Sequence, residues 1–171
     1  TILSAGEIAA SLSFMGELNQ VDEVLYKEAL VVILDTANQA RIDGKIAMTG
    51  KNVIKIDHHP DEDPYAPVQL VDTTMSSTSE LLVHVLNEWG YDIPAAAAIQ
   101  FYAGIVGDTG RFQFRGTTKR TFEVAAQLID AGIDTDWLYR NMYETELSAL
   151  HLQGYVLQHI QLTDQGVGYV V

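Results

Sequence analysis

The chain has 171 residues, 47% hydrophobic and 19% charged, a mixture of ordinary globular domains that excludes a disordered polyelectrolyte. A formal charge of −13 excludes a protein that grips long duplex nucleic acid through a basic face, and the lack of cysteine excludes disulfides, thiolate metal sites and a Cys nucleophile. No apolar run approaches the ~18 residues of a membrane-spanning helix, so no membrane partner is expected.

Thr1-Ile2-Leu3-Ser4 carries no basic leader, and a cysteine-free chain suits a reducing compartment, so a cytoplasmic protein is expected. Ile2-Leu3 reads as the tail of a strand, and residues 7–18 place Ile8, Leu12 and Met15 at helical spacing. Residues 29–34 form an unbroken apolar run ending at Asp35, the pattern of a parallel strand buried on both faces. Residues 51–56 form a second strand with Asp57-His58-His59-Pro60 at its carboxyl end, and residues 67–71 a third.

The second half reads as helical. Ser76-Ser77-Thr78-Ser79-Glu80 supplies cap residues for a helix carrying Leu81, Leu82, Val85 and Leu86 that ends near Gly90. Ile93-Pro94 opens a helix through Ala95, Ala98, Ile99 and Tyr102, and Thr117 or Thr118 caps another with Phe122, Ala125, Ala126 and Ile129 inward and Gly132 as its stop. A further helix covers residues 136–142, a long one runs from Glu144 toward His159, and residues 160–171 read as a hairpin. The fold class is α/β, a mainly parallel sheet flanked by helices that ends in a linker helix and hairpin, with the late antiparallel signal marking entry into a second domain.

In an open parallel sheet, ligands gather beyond the carboxyl ends of the strands, and two strands deliver Asp35 and the Asp57-His58-His59 cluster to that edge. Neighbouring side chains on an extended segment diverge, so one imidazole can bind metal while the other faces a substrate, and Asp57 can fix ring orientation from behind. Gly104-Ile105-Val106-Gly107-Asp108-Thr109-Gly110-Arg111-Phe112 adds a third element, whose glycines let backbones approach closely and whose Asp108 falls where a helix must end. Asp108 reads equally as a solvated helix end. Two Asp and one His make a hard, oxygen-rich set suited to Mn2+ or Mg2+.

Leu34-Asp35-Thr36-Ala37, Ile56-Asp57-His58-His59-Pro60 and Gly107-Asp108-Thr109-Gly110-Arg111-Phe112 resemble the second, third and fourth motifs of the DHH phosphoesterases. Within that family the chain is most similar to the bacterial nanoRNase group, which also dephosphorylates 3′-phosphoadenosine 5′-phosphate. The resemblance extends over Asp72-Thr73, Ser76 to Glu80 and Met142-Tyr143-Glu144-Thr145-Glu146. It implies hydrolysis of short RNA oligonucleotides or a small nucleotide by two Mn2+ ions, with Asp35 bridging them, His58 and Asp108 completing one shell, and His59 facing the substrate phosphate. It implies in-line attack on phosphorus by water that the ions activate. Arg111 reads as a donor to phosphate oxygens or as a surface ion pair. Arg41, Arg115, Lys119 and Arg120 are weaker candidates for that contact and read first as solvated surface, and His84, His151 and His159 read as structural. Ser77, Thr78 and Ser79, at a helix start, read as an anion site or as caps.

The family's first motif, a His followed by an Asp-x-Asp pair, has no counterpart between Thr1 and Leu34, where Asp22 stands alone. The resemblance therefore implies a partial DHH catalytic core over residues 1–144, a linker helix and the start of a DHHA1-type domain over residues 145–171, and little activity for the chain by itself. Cyclic-dinucleotide phosphodiesterases and manganese pyrophosphatases share similar motifs, and a non-catalytic nucleotide-binding module is the reading from another class. The sequence leaves a homodimer open.

Overall fold

The computed structural model describes residues 10–16, 23–42 and 44–170. Three strands, β1 (Leu30–Leu34), β2 (Asn52–Asp57) and β3 (Val68–Val71), pair in parallel in the order β1-β2-β3. The register sets Leu34 beside Ile56 and Asp57 beside Val71, so the three carboxyl ends share one edge. Before β1 lies α1 (Glu23–Glu28), and 3-10 turns at Gln39–Arg41 and Lys45–Thr49 occupy the β1–β2 connection.

The unbroken apolar run of β1 predicts burial on both faces, but the strand is covered on one. Ile33 is buried against Tyr26, Ala47, Val53 and Ala66, whereas Leu30, Val32 and Leu34 are 59%, 45% and 47% exposed. Val68 and Leu70 are exposed on β3, and the pairings Val32–Ile54 and Ile54–Val68 join both strands into one apolar face. A run without alternation does not encode which face is covered. On β2 the covered side carries Val53, Lys55 and Asp57, so a lysine and an aspartate are buried there while Ile54 and Ile56 turn toward the half-open face.

The helical half packs around its own core. It comprises α2 (Thr78–Glu88), α3 (Ala95–Asp108), α4 (Lys119–Asp130) and α5 (Thr135–Tyr143), with Val83, Ala98, Ile105, Val106, Leu128 and Leu138 fully buried among them. Ser77 and Asp134 cap α2 and α5 through side-chain oxygens, and Thr118 forms a capping box with Thr121 at α4. The inward face of α4 is Thr121, Val124, Ala125 and Leu128, while Phe122, Ala126 and Ile129 turn outward. A polar anchor explains the rotation: Thr121 donates from its hydroxyl to the buried carboxylate of Glu80 at 2.9 Å, which fixes that side of the helix inward. Phe122 stacks instead on Phe112, with centroids 5.3 Å apart.

Within the helix expected over residues 7–18, the described part holds a 3-10 segment at Ala10–Met15, whose Phe14 meets Trp137 edge-on at 5.1 Å. Ile2-Leu3, Ile8, Leu18, Asp22 and Val171 lie outside the described residues. Past α5, α6 (Leu147–His159) buries none of its residues and leads to an antiparallel pair, β4 (Gln161–Leu162) and β5 (Gly168–Tyr169). Among the described residues no helix is long and apolar enough to cross a membrane.

Candidate metal centre

Asp35 leaves β1 in the left-handed region, at φ 55°, a conformation that Asp tolerates better than most residues. Its amide donates to the Ile56 carbonyl at 3.0 Å, which ties this turn to β2. The Thr78 hydroxyl, at the start of α2, donates to Asp35 Oδ1 at 2.8 Å and aims the carboxylate across the sheet edge.

Asp57 closes β2 with its side chain fully buried. Its Oδ1 accepts from the His58 amide at 2.8 Å, the His59 amide at 3.2 Å and the His59 Nδ1 at 2.7 Å. Burial works to raise the Asp57 carboxyl, yet these bonds from His59 and His58 outweigh it and hold the group below the usual carboxylate range. A carboxylate only accepts, so His59 Nδ1 carries the proton and its Nε2 presents a lone pair on the far side of the ring. The two imidazoles meet edge-on with centroids 4.4 Å apart.

His58 Nδ1 lies 3.3 Å from the Met75 carbonyl, which can only accept, so Nδ1 is the donor there and Nε2 is turned toward the carboxylates. That Nε2 is buried without a hydrogen-bond partner, 3.4 Å from Asp35 Oδ1 and 3.7 Å from Asp108 Oδ2. Asp108 is the last residue of α3, and burial, helped by the neighbouring Asp35 charge, pushes its carboxyl up. The imidazole nitrogen and the two carboxylates thus face one another with no hydrogen bond to Nε2, an arrangement that a cation would relieve. Asp35, His58 and His59 also form a group whose ligand atoms all lie within 4.8 Å of one another. Two atoms can share an ion at ~2.5 Å only if they are within about 5 Å of each other, so the spacing of Asp35, His58 and His59 is compatible with common ligation. Asp35, His58 and His59 are thus the group spaced to share one hard divalent cation, and Asp108 adjoins it through His58 Nε2 at 3.7 Å.

After Asp108 the chain makes a left-handed turn. Gly110, Arg111 and Phe112 have φ of 54°, 62° and 64°, and the buried Thr109 hydroxyl holds the turn by donating to Ile105 O at 2.6 Å and accepting from the Phe112 amide at 2.9 Å. Two non-glycine residues in this region cost ~1–2 kcal/mol each, so the turn persists because these bonds and the Phe112–Phe122 stack over-determine it. The turn sends the Arg111 guanidinium over the Tyr143 ring, 4.8 Å from its centroid. Of the three glycines on this segment, Gly104 is packed against Ser79 and Gly110 against Phe114, whereas Gly107 faces open space.

The 72–80 segment is built around Glu80, whose side chain is fully buried. Glu80 accepts from the Ser76 hydroxyl, from Thr121 Oγ1 at 2.9 Å and from Arg120 Nε at 2.8 Å, while Arg120 also donates to Thr74 O at 2.8 Å. Arg120 is therefore an anchor of the site's rim and not a solvated charge. Burial would raise the Glu80 carboxyl, but the bonds from Ser76, Arg120 and Thr121 hold it below the usual range. Ser77 Oγ is engaged as the α2 cap, Thr78 Oγ1 on Asp35, and Ser79 lies against Gly104. His84 pairs with Glu88 at 3.5 Å and His159 Nδ1 sits 2.8 Å from Tyr155 O, both within their own helices.

Sequence reasoning missed Lys55, Thr78 as a partner of Asp35, and the Glu80–Arg120 pair. A lysine between two isoleucines on a strand is a usable signal, but the Glu80–Arg120 pair spans 40 residues and leaves none.

The model of the DHH family, N-terminal domain, matches residues 3–105. The chain is 42% identical over 172 residues to the bifunctional oligoribonuclease and PAP phosphatase NrnA of Bacillus subtilis, covering 99% of this chain and 55% of that protein. It is 37% identical to a probable bifunctional oligoribonuclease and PAP phosphatase of Streptococcus mutans, covering 100% of the chain and 55% of that relative. The chain thus spans about half the length of the curated relatives it matches. Among solved structures, an exopolyphosphatase-related protein of Bacteroides fragilis superposes with TM-score 0.77 at 32% identity, covering 82% of this chain and 44% of that one. A putative family II inorganic pyrophosphatase of Methanococcus jannaschii superposes with TM-score 0.63 at 18% identity over 80% of this chain and 49% of its own, a likeness of fold. With its parallel edge carrying Asp35 and the Asp57-His58-His59 run, the chain belongs to the DHH family.

Proposed function

We propose that the chain forms the metal-binding core of a cytoplasmic phosphoesterase that hydrolyses short RNA oligonucleotides and 3′-phosphoadenosine 5′-phosphate with Mn2+, Mg2+ serving in its place. The observation that carries this reading is the buried, partnerless His58 Nε2 facing the carboxylates of Asp35 and Asp108. The substrate class is supported by the names of the relatives, and because the chain spans about half their length, the activity is assigned to the whole protein that carries it.

In this reading Asp35, His58 and Asp108 hold the cation, and Asp35 has a second carboxylate oxygen with which to bridge to another. Bound there, the ion would acidify a water and neutralise charge on the phosphoryl oxygens. Asp57 keeps His59 in the form that offers Nε2 toward the substrate side. Arg111, parked on Tyr143 through its ring face, keeps its N–H groups for phosphate oxygens. Ser77, Thr78 and Ser79 add the start of α2, whose free amides favour an anion. Residues 145–171 are read as the linker helix and opening strands of a second domain.

The test is an assay of the full-length protein with a ribodinucleotide, 3′-phosphoadenosine 5′-phosphate, cyclic di-AMP and pyrophosphate, each with Mn2+. Turnover of the first two, lost in His58→Gln, is expected. Turnover of pyrophosphate alone contradicts the substrate class, and no Mn2+-dependent turnover of any of the four contradicts the reading as a whole.

A further inference from the structure

The loops that carry the site run past one buried ammonium group. Lys55 points to the covered side of β2, two residues before Asp57, with none of its side chain exposed. Its Nζ donates to Asp61 Oδ1 at 2.9 Å and to the Ala37 carbonyl at 3.1 Å, lies 3.9 Å from Asp57 Oδ2, and stands 4.8 Å from the centre of the Tyr65 ring. The Tyr65 hydroxyl in turn donates to Thr36 O at 2.9 Å. One cation thus links the turn after β1, the end of β2 and the loop that follows it.

A wholly buried lysine costs several kcal/mol unless anionic partners surround it, so a strand keeps one only where such partners wait. Here the chief partners are Asp57 and Asp61. Asp57 Oδ1 is spent on the amides of His58 and His59 and on the His59 ring, whereas Oδ2 is buried with no hydrogen-bond partner and has Lys55 as its cation. Lys55 is thus the cation beside the second oxygen of the carboxylate whose first oxygen steers the imidazole.

We propose that Lys55 is a positioning residue of the centre: it locks the Asp57 carboxylate and the turn after Asp35, and through them sets the His59 ring and the spacing between Asp35 and the two histidines. The proposal rests on reading the cluster as a cation and phosphate site. Methionine at this position would match the length of lysine and leave Asp57 Oδ2 uncompensated, while arginine would keep the charge.

The test compares Lys55→Met and Lys55→Arg with the wild-type protein, metal-free and at mildly alkaline pH, by long-range proton–nitrogen correlation of the His59 ring, assigned with His59→Gln. The wild type is expected to show a single Nδ1-protonated tautomer, Lys55→Met a mixture of both, and Lys55→Arg the wild-type pattern. Mn2+ titration of the same samples, followed by electron paramagnetic resonance, is expected to show affinity about tenfold lower in Lys55→Met, the loss typical when a group that orients a ligand is removed. An unchanged tautomer in a folded Lys55→Met overturns the proposal. Should that variant fail to fold, Lys55→Gln against Lys55→Arg decides: loss of the tautomer in the neutral variant alone supports it, and identical spectra overturn it. A wild type that shows the locked tautomer, with the mixture in Lys55→Met, yet takes up no Mn2+ supports the positioning role and contradicts the functional reading instead.

Discussion

At the scale of single residues, the centre shows groups held against their own preferences. Asp35 and Asp108 face one partnerless imidazole nitrogen, and the Asp35 charge helps to push the Asp108 carboxyl up. Replacing Asp108 by Asn removes that repulsion while preserving shape. We therefore expect Asp108→Asn to raise the melting temperature of the metal-free protein and to lower Mn2+ affinity by at least about tenfold, measured by thermal unfolding and calorimetry. A fall in both would mean that Asp108 is a structural carboxylate. Two glycines of α3 make a second contrast. Gly104→Ala would drive a methyl into Ser79 and should cost about 1–3 kcal/mol, whereas Gly107→Ala meets nothing within 4 Å and should be neutral or stabilise by up to ~1 kcal/mol. Chemical denaturation measures both. In sequence these glycines are indistinguishable, because what separates them is a serine on another helix. The Asp57-His58-His59 run was legible for the opposite reason, since its three residues are contiguous and the bonds from His58 and His59 to Asp57 Oδ1 lie within the run.

At the scale of elements, β1 offers a test of its one-sided burial. Ile33→Ala removes a buried side chain and should cost about 2–4 kcal/mol, while Val32→Thr on the open face of the same strand should stay within about 0.5 kcal/mol. Equal costs would show the open face to be packed. The α2–α4 contact makes a pH prediction. Glu80, Asp57 and Asp72 are all held below the usual carboxylate range, in the case of Asp72 by hydrogen bonds from Thr74. A carboxyl with a lowered folded-state pKa binds its proton less readily than in the unfolded chain, so its stabilisation is present above the ordinary carboxylate range and drains away as pH falls through and below it. Arg120→Met removes the cation on Glu80. We expect it to cost about 3 kcal/mol at neutral pH, the lower end for a broken buried pair because the arginine is partly solvated, and to move acid unfolding to higher pH. Denaturant midpoints across an acid titration read both effects. Parallel strands and capped helices were legible from apolar runs and cap residues; the rotation of α4 was not, because a hydroxyl anchored on a carboxylate 41 residues away outranks its own apolar stripe.

At the scale of the whole molecule, a parallel edge gathers residues that the sequence scatters. Asp35, His58 and Asp108 come from a strand end, a strand-end loop and a helix end, and the register of β1 and β2 together with the Thr78–Asp35 bond holds the first two side by side. That strand ends would bring Asp35 and the Asp57-His58-His59 run to one edge was legible as a consequence of topology, whereas the role of Lys55 was not, since its partners Asp57 and Asp61 meet it only after folding. The charge of −13 also has a consequence at this scale: retention of long duplex DNA by the chain at physiological salt is not expected in a gel-shift assay, and binding there would contradict the small-substrate reading. The account stands or falls on a cation between the three side chains. Crystals of the protein grown with Mn2+ and measured at the manganese edge should give an anomalous peak roughly 2.0–2.6 Å from an Asp35 carboxylate oxygen, His58 Nε2 and an Asp108 carboxylate oxygen. A saturated crystal with no peak there, or with those side chains turned apart around solvent, would contradict it.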